Sequence, residues 1–463
     1  MRLSLGIFLL VTALSLTQAN IIEDIANWPF SYFKNYNCSQ SVKDEKFSIQ
    51  FKFINSSDSV KNEACFDTPI NVEDIKNFDP RRETKVMLNP YFHKVDIPVL
   101  KEMKSLFSNW VITLNFQLVI LNSKKVIYFS ISLFKPELNI IMIDWTAGGV
   151  RFNYEQAAFN TISAAEQVQS TFADLIAYWE KQGVDREEWG PVHFLGISLA
   201  AHVSGQAARL LQRNNNFTIA RITGLDPAEP CFEPGENFWS RRLTRQDADF
   251  VDIIHSDSSE KHSGGFGMRE AIGHVDFYLD GGNSEGDCSQ DKIKNKRGFF
   301  KSYINYPRLT YHALVEGGFC RHMRAANVFV ESLKNDQLRK VRPDCQYWGV
   351  PWGLKHNSSE TERAIEAIDD CTHETCPELG INSERFFHDD EKNLRVARNE
   401  SVVYYVSLRN RSDTCMKYFS NAFHGVYSND QLQISMVDTT KEFLLDFGRI
   451  AADQISNYLN SFV

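Results

Sequence analysis

The stretch Pro191-Val-His-Phe-Leu-Gly-Ile-Ser-Leu-Ala-Ala-His-Val-Ser-Gly205 decides the fold. Its apolar run from Val192 to Leu195 stops at Gly196. Beyond Ser198, the residues Leu199, Val203, Ala207 and Leu210 recur at i, i+4, i+8 and i+11, the spacing of one helix face. Strand, glycine, serine and helix in that order make a sharp strand-to-helix turn. Such a turn can hold a serine hydroxyl clear of the sheet, beside a base and near backbone N–H groups that take up oxyanion charge. An ordinary serine in a strand-to-helix turn would leave the same string, and Ala200 stands where the pattern G-x-S-x-G ends in glycine.

Working outward, the same alternation continues on both sides. Upstream, Phe47–Ile54 and Thr84–Leu88 read as strands, Val95–Trp110 as a helix with Val99, Met103 and Phe107 on one face, and Leu138–Asp144 as a buried strand. A helix is predicted over Ala164–Gln182, with Val168, Phe172, Leu175, Ile176 and Trp179 on one side, and the stretch between Ile54 and Asp79 reads as turns. Downstream, apolar strands end at Asp226 and at His255. This pattern predicts an α/β fold with a mostly parallel central sheet and helices on both faces. Residues 111–134 do not fit it. They hold two β-branched runs around Asn-Ser-Lys-Lys, either an added hairpin or an insertion the fold does not need, and the lack of charged gatekeepers favours the insertion.

In such sheets chemistry collects at the carboxyl ends of strands. Asp226 lies at one, before a proline; as a turn aspartate it would look the same. A base should follow it on a later loop. Of the twelve histidines, His193, His255 and His274 lie in or beside strands, and His202 lies one helical turn after Ser198. His322 comes after a Gly-Gly loop and directly before an amphipathic helix, which makes it the best base.

Composition narrows the setting. Residues 1–19 carry one positive charge, a short apolar core and a small-residue exit, the pattern of a secretory signal peptide. Six N-x-S/T sites, at Asn37, Asn55, Asn216, Asn357, Asn399 and Asn410, fit a glycosylated exported surface. The nine cysteines should then be mostly paired, and Cys371-Thr-His-Glu-Thr-Cys376 reads as a disulfide rather than a metal site. The net charge of −9 argues against nucleic acid as a partner, and no later apolar run is long enough for a transmembrane segment.

Several of these stretches together resemble the pancreatic-lipase family of secreted lipases and phospholipases A1. They are Asn139-Ile-Ile-Met-Ile-Asp-Trp145, the Ser198 turn, Arg221-Ile-Thr-Gly-Leu-Asp-Pro-Ala-Glu-Pro-Cys-Phe232, Phe250-Val-Asp-Ile-Ile-His-Ser-Asp257, Ile272-Gly-His-Val-Asp-Phe277, Cys320-Arg-His-Met-Arg324 and Cys376-Pro-Glu-Leu-Gly380. The resemblance implies an α/β-hydrolase domain over 20–415, with Ser198 as nucleophile, Asp226 as orienting acid and His322 as base. It also implies a lid closed by Cys288 and Cys320, an oil or membrane surface as the lipid partner, and an oxyanion hole built from the N–H groups of Leu199 and Tyr91. The enclosed segment Ser289 to Phe319 is long enough for a lipase lid, which favours triacylglycerol over phospholipid. No cofactor is implied, and the family's calcium loop is matched only at Arg242 and Asp247, with Thr244 in place of a carboxylate.

The departures are Asn89-Pro90-Tyr91 where the family has His-Gly-aromatic, Ile197 where it has histidine, and Ala200. Residues 416–463 are too short for the β-sandwich of the family's larger members and carry an amphipathic helix from Thr439 to Leu459. The expectation is a secreted carboxylic ester hydrolase; the alternatives are a phospholipase A1 or a catalytically impaired, yolk-protein-like lipid-storage protein.

Overall fold

The computed structural model describes residues 46–408, apart from internal stretches of which 56–62, 284–319 and 389–400 are the longest. The strands are β1 Gln50–Asn55, β2 Ala64–Asp67, β3 Thr84–Leu88, β4 Thr113–Asn115, β5 Val119–Leu121, β6 Lys124–Val126, β7 Ser132–Phe134 and β8 Asn139–Asp144, followed by β9 Val192–Ile197, β10 Arg221–Leu225, β11 Phe250–His255, β12 Val275–Leu279, β13 Val350–Pro351 and β14 Val402–Val406. The helices are α1 Pro98–Ser108, α2 Thr146–Gly149, α3 Tyr154–Lys181, α4 Leu199–Asn215, α5 Cys320–Leu338, α6 Ser358–Ala367 and α7 Arg385–His388. Ten strands form one sheet in the order β13-β14-β12-β11-β10-β9-β3-β8-β1-β2. From β14 to β8 the neighbours are parallel, and only the edge pairings β8–β1, β1–β2 and β13–β14 are antiparallel.

The near-continuous apolar runs of β8, β9 and β11 are what a sheet covered on both sides demands. Alternate residues point to opposite faces and so divide between two cores. Val86, Leu88, Ile141, Ile143 and Phe194 pack with Phe172 and Leu175 of α3 and Val203 of α4. Met87, Ile140, Met142, Leu195 and Ile197 pack on the other face with Leu100 and Met103 of α1 and Phe329 and Leu333 of α5. A fully buried side chain such as Phe172 or Phe329 contributes about 1.5–3 kcal/mol through the water it sheds.

Two expectations change. α3 begins at Tyr154, ten residues before the predicted start; apart from Tyr154, its first turns bury small and polar residues such as Ala157, Ala158, Asn160 and Thr161, which show no apolar period. Those polar groups are satisfied by partners distant in sequence: Asn160 Nδ2 donates to the Gly148 carbonyl at 2.9 Å, and Thr161 Oγ1 accepts from Gln206 Nε2 at 3.1 Å. β2 lies in a stretch read as turns; it is a four-residue edge strand with alternating burial, paired only with β1. Within 111–134, β4 pairs with β7 and β5 with β6 as nested antiparallel hairpins, and neither pair bonds to the main sheet. The stretch 1–19 read as a signal peptide, the segment 289–319 and the helix read over Thr439–Leu459 lie outside the described residues.

Candidate active site

The turn after β9 is tight enough to dictate its residues. Ser198 holds φ 60° and ψ −125°, a strained conformation for a side chain other than glycine. Its N–H donates to the Leu225 carbonyl at 3.0 Å, which ties the turn to the end of β10. A Cβ at Gly196 would lie 2.6 Å from the Ala200 carbonyl oxygen and from the Ala201 Cα, so only glycine fits there. Ala200, in the place of the pattern's last glycine, is fully buried in the α4 face of the core. Leu199 opens α4, and an N–H in the first turn of a helix has no partner within that helix.

Because β9 and β10 are parallel with Ile197 opposite Leu225, the next residues, Ser198 and Asp226, leave the sheet side by side. Asp226 also sits at positive φ, 46°. Its Oδ2 accepts the His322 Nδ1–H at 2.7 Å, and its Oδ1 accepts the N–H groups of Ser256 at 2.8 Å and Asp257 at 3.2 Å. Asp226, Ser198 and His322 are all buried, at 0%, 5% and 4% exposure. A carboxylate that accepts the Nδ1–H hydrogen bond fixes the imidazole tautomer in which Nε2 is the basic nitrogen. His322 lies in the first turn of α5, and Ser256 secures that turn: its hydroxyl donates to the Arg321 carbonyl at 2.8 Å and accepts the Ala325 N–H at 3.1 Å.

Local sequence pattern did not reveal the rest of the surroundings. Gly267 lies against the Asp226 carboxyl so closely that a Cβ would fall 2.3 Å from Asp226 Oδ1. His202, one helical turn after Ser198, anchors a neighbouring loop. Its Nε2–H donates to the Ala228 carbonyl at 2.7 Å, its Nδ1 accepts the Leu243 N–H at 3.0 Å and its ring stacks on Phe232 at 3.9 Å, which fixes the loop that leaves Asp226. Burial lowers its pKa to about 4, a depression the Ala228 hydrogen bond only partly offsets. His255, at the end of β11, bonds Asp276 Oδ1 at 2.9 Å and the Met268 carbonyl at 2.8 Å. Asp257 is raised to about 6, by burial first and then by the Asp226 charge, against the pull of Arg321 and His322. Arg321 Nε stands 3.2 Å from Asp257 Oδ1, close enough to pair in charge but off the line of a hydrogen bond. The signal for Asp257 was its place just past the end of β11, beside the strand that ends at Asp226.

Side-chain ligand atoms of Asp226, Asp257 and His322 lie within 4.8 Å of one another. A cation there would have to displace the Asp226–His322 hydrogen bond, so the trio does not fit a metal. The calcium loop fits no better. Asp247 accepts Arg209 Nε–H at 2.8 Å, Arg209 Nη2–H at 2.9 Å and the Thr244 N–H at 2.8 Å, and Arg209 Nη2 also reaches the Arg242 carbonyl at 3.0 Å. Calcium needs carboxylate and carbonyl oxygens open to it; here a guanidinium holds them, and the Thr244 hydroxyl, which caps the Asp247 N–H, brings no charge.

Of the other predicted positions, Cys371 and Cys376 are joined as a disulfide, and Cys320 is disulfide-bonded, while Cys288 lies outside the described residues. Asn216 is exposed at the end of α4; the side chains of the other five acceptor asparagines lie outside the described set. Among the described residues no helix is long and apolar enough to cross a membrane. Asn89 and Tyr91 are both buried just past the end of β3, the strand next to β9.

The family described as Lipase matches residues 37–399. The chain is 32% identical to a pancreatic triacylglycerol lipase of Sus scrofa over 263 residues, which is 55% of this chain and 50% of that one. It is 32% identical to pancreatic lipase-related protein 2 of Rattus norvegicus over 262 residues (54% and 46%), and 30% identical to lipase member H-A of Xenopus laevis over 255 residues (54% and 44%). The chain thus spans about half the length of the curated relatives it matches. With the family match running through most of its length, the chain belongs to the lipase family.

Proposed function

We propose that this protein is a carboxylic ester hydrolase of the lipase type that releases fatty acids from glycerolipids. The observation that carries this reading is the 2.7 Å bond from His322 Nδ1 to an Asp226 at one strand end, beside a strained Ser198 at the next. In the proposed reaction the Ser198 oxygen bonds to the acyl carbon, the carbonyl π pair moves onto the substrate oxygen, and the hydroxyl proton passes to His322 Nε2. Collapse expels the alcohol with that proton. Water, deprotonated by His322, then attacks the acyl carbon, and collapse breaks the bond to the Ser198 oxygen, which takes the proton back from His322 as the acid leaves. Asp226 remains ionised throughout and stabilises the imidazolium.

The relatives' names, together with the segment Ser289 to Phe319, support triacylglycerol as the substrate and an oil surface as its location. The leader-like start and the six acceptor sites support secretion. The reading is tested by assaying wild type and Ser198→Ala on p-nitrophenyl butyrate, then wild type on triglyceride emulsions and phosphatidylcholine vesicles. Hydrolysis lost on substitution is expected. Activity that survives it removes Ser198 as nucleophile, an inert wild type points to lipid storage, and preference for vesicles points to a phospholipase A1.

A further inference from the structure

Past the end of β3 the sequence continues Asn89-Pro90-Tyr91-Phe92-His93, in which the residue expected to supply an oxyanion-hole N–H, Tyr91, follows a proline. Proline fixes its own φ and removes the freedom a glycine would give, so the aim of the Tyr91 N–H depends on what holds the turn. The turn is braced at both ends by one side chain. Asn89 is fully buried; its Oδ1 accepts the Trp145 N–H at 3.1 Å, and its Nδ2 donates to the His93 carbonyl at 2.6 Å. The Asn89 carbonyl accepts the Trp145 indole N–H at 2.6 Å. The Thr146 hydroxyl donates to the same His93 carbonyl at 3.2 Å.

Between those anchors the backbone is held too. The His93 N–H donates to the Pro90 carbonyl at 3.3 Å and His93 Nδ1–H to the Tyr91 carbonyl at 2.9 Å. The Pro90–Tyr91 peptide is planar, so fixing its carbonyl oxygen on one side fixes the Tyr91 N–H on the other. The Tyr91 ring packs edge-on against Tyr154 at 5.2 Å, and the Tyr154 hydroxyl is bound to the Pro230 carbonyl, four residues past Asp226.

We propose that Asn89 is a positioning residue for acyl transfer: its carboxamide bridges the end of β8 to the far side of the turn and so holds the Tyr91 N–H where a tetrahedral intermediate on Ser198 places its negative oxygen. This rests on the hydrolase reading above. A donor held in place before the reaction stabilises charge only as that charge forms, so its loss lowers turnover and leaves ground-state binding nearly alone.

The test uses the full chain as wild type, Asn89→Ala and the isosteric Asn89→Asp. Each is assayed on p-nitrophenyl butyrate from pH 5 to 9, and its serine is titrated with a p-nitrophenyl alkylphosphonate, whose phosphoryl oxygen takes the oxyanion's place. Asn89→Ala should lower kcat and the phosphonylation rate about 100-fold, the order of losing one donor, while KM moves less than about threefold. Asn89→Asp keeps the acceptor for the Trp145 N–H but sets a carboxylate against the His93 carbonyl. It should be as slow as Asn89→Ala at pH 8 and recover several-fold as the pH falls and the carboxyl regains a donor proton, relative to wild type at each pH. Equal phosphonylation of wild type and variants, a change confined to KM, or an Asn89→Asp profile parallel to wild type overturns the inference and leaves the hydrolase reading intact. A wild type that neither takes the phosphonate nor hydrolyses the ester overturns both.

Discussion

Two buried polar clusters occupy opposite ends of the same strands. At the amino ends, Lys85 of β3 donates to His193 Nδ1 at 3.3 Å, His193 Nε2–H donates to Thr223 Oγ1 at 2.8 Å, and the Thr223 hydroxyl donates to Asp252 Oδ1 at 2.8 Å. Asp252 is paired through both oxygens with Arg221, at 3.0 and 2.8 Å, and Arg221 also reaches the carbonyls of Gly380 and Ile381. Burial drives His193 well below its ordinary pKa, and the neighbouring Lys85 and Arg221 charges push the same way. At the carboxyl ends, Ser198 and Asp226 both sit at positive φ, and Asp226 accepts a hydrogen bond from a histidine of a helix far along the chain. The first cluster uses relaxed backbone to satisfy buried charge. The second carries backbone strain where the proposed reactive groups stand, and is supported by neighbours such as Ser256 and His202. Strand direction separates the two: strand ends that open into loops can vary geometry, whereas positions inside the ladder cannot.

The contrast breaks most sharply if stability and turnover respond to different residues. Ser198→Ala should lower turnover by about 10⁶-fold, the order seen when a triad serine is removed. Its melting temperature should stay within about 2 °C of wild type, read by calorimetry. Arg221→Met should do the reverse. It leaves Asp252 buried without its partner, and breaking such a pair costs about 3–5 kcal/mol, visible as a lower urea midpoint. The kcat of the protein still folded should change less than about twofold; a proportionate loss of kcat would mean that the two ends are one functional unit.

His202 sharpens the comparison through pH. Its folded pKa, about 4, is depressed from an ordinary value near 6.5, so between those values the unfolded chain binds a proton that the folded chain refuses. Stability should therefore fall as pH drops from 6.5 towards 4, on the order of 3 kcal/mol at about 1.4 kcal/mol per pH unit. Urea midpoints of wild type and His202→Gln should converge over that window, and parallel curves would exclude the histidine as their source. The smallest effect is a null one. Because Arg209 holds the Asp247 carboxylate, a calcium chelator should leave the melting temperature unchanged, and a drop of several degrees would show an ion bound there.

The fold was legible because apolar runs of strand length alternate with helical periods, and a two-sided sheet leaves few other solutions. The start of α3 was not, since its buried Asn160 and Thr161 look polar until their partners on Gly148 and Gln206 are known. Ser198, Asp226 and His322 stand at the junctions of elements, where a glycine, a proline or a helix start marks them. Asn89, His202 and Ser256 carry no such mark: each works through groups 4 to 69 positions away, a spacing that no local period encodes.

The order of the sheet has one more consequence. β9 and β10 are the two middle strands of ten, and the antiparallel strands lie at the rims. Unzipping from either rim would peel away β2 or β13 long before it reached the hydrogen bond that ties Ser198 to Leu225. Enzymatic decay in denaturant would then track collapse of the whole sheet rather than fraying of its borders, while amide exchange would report the borders first.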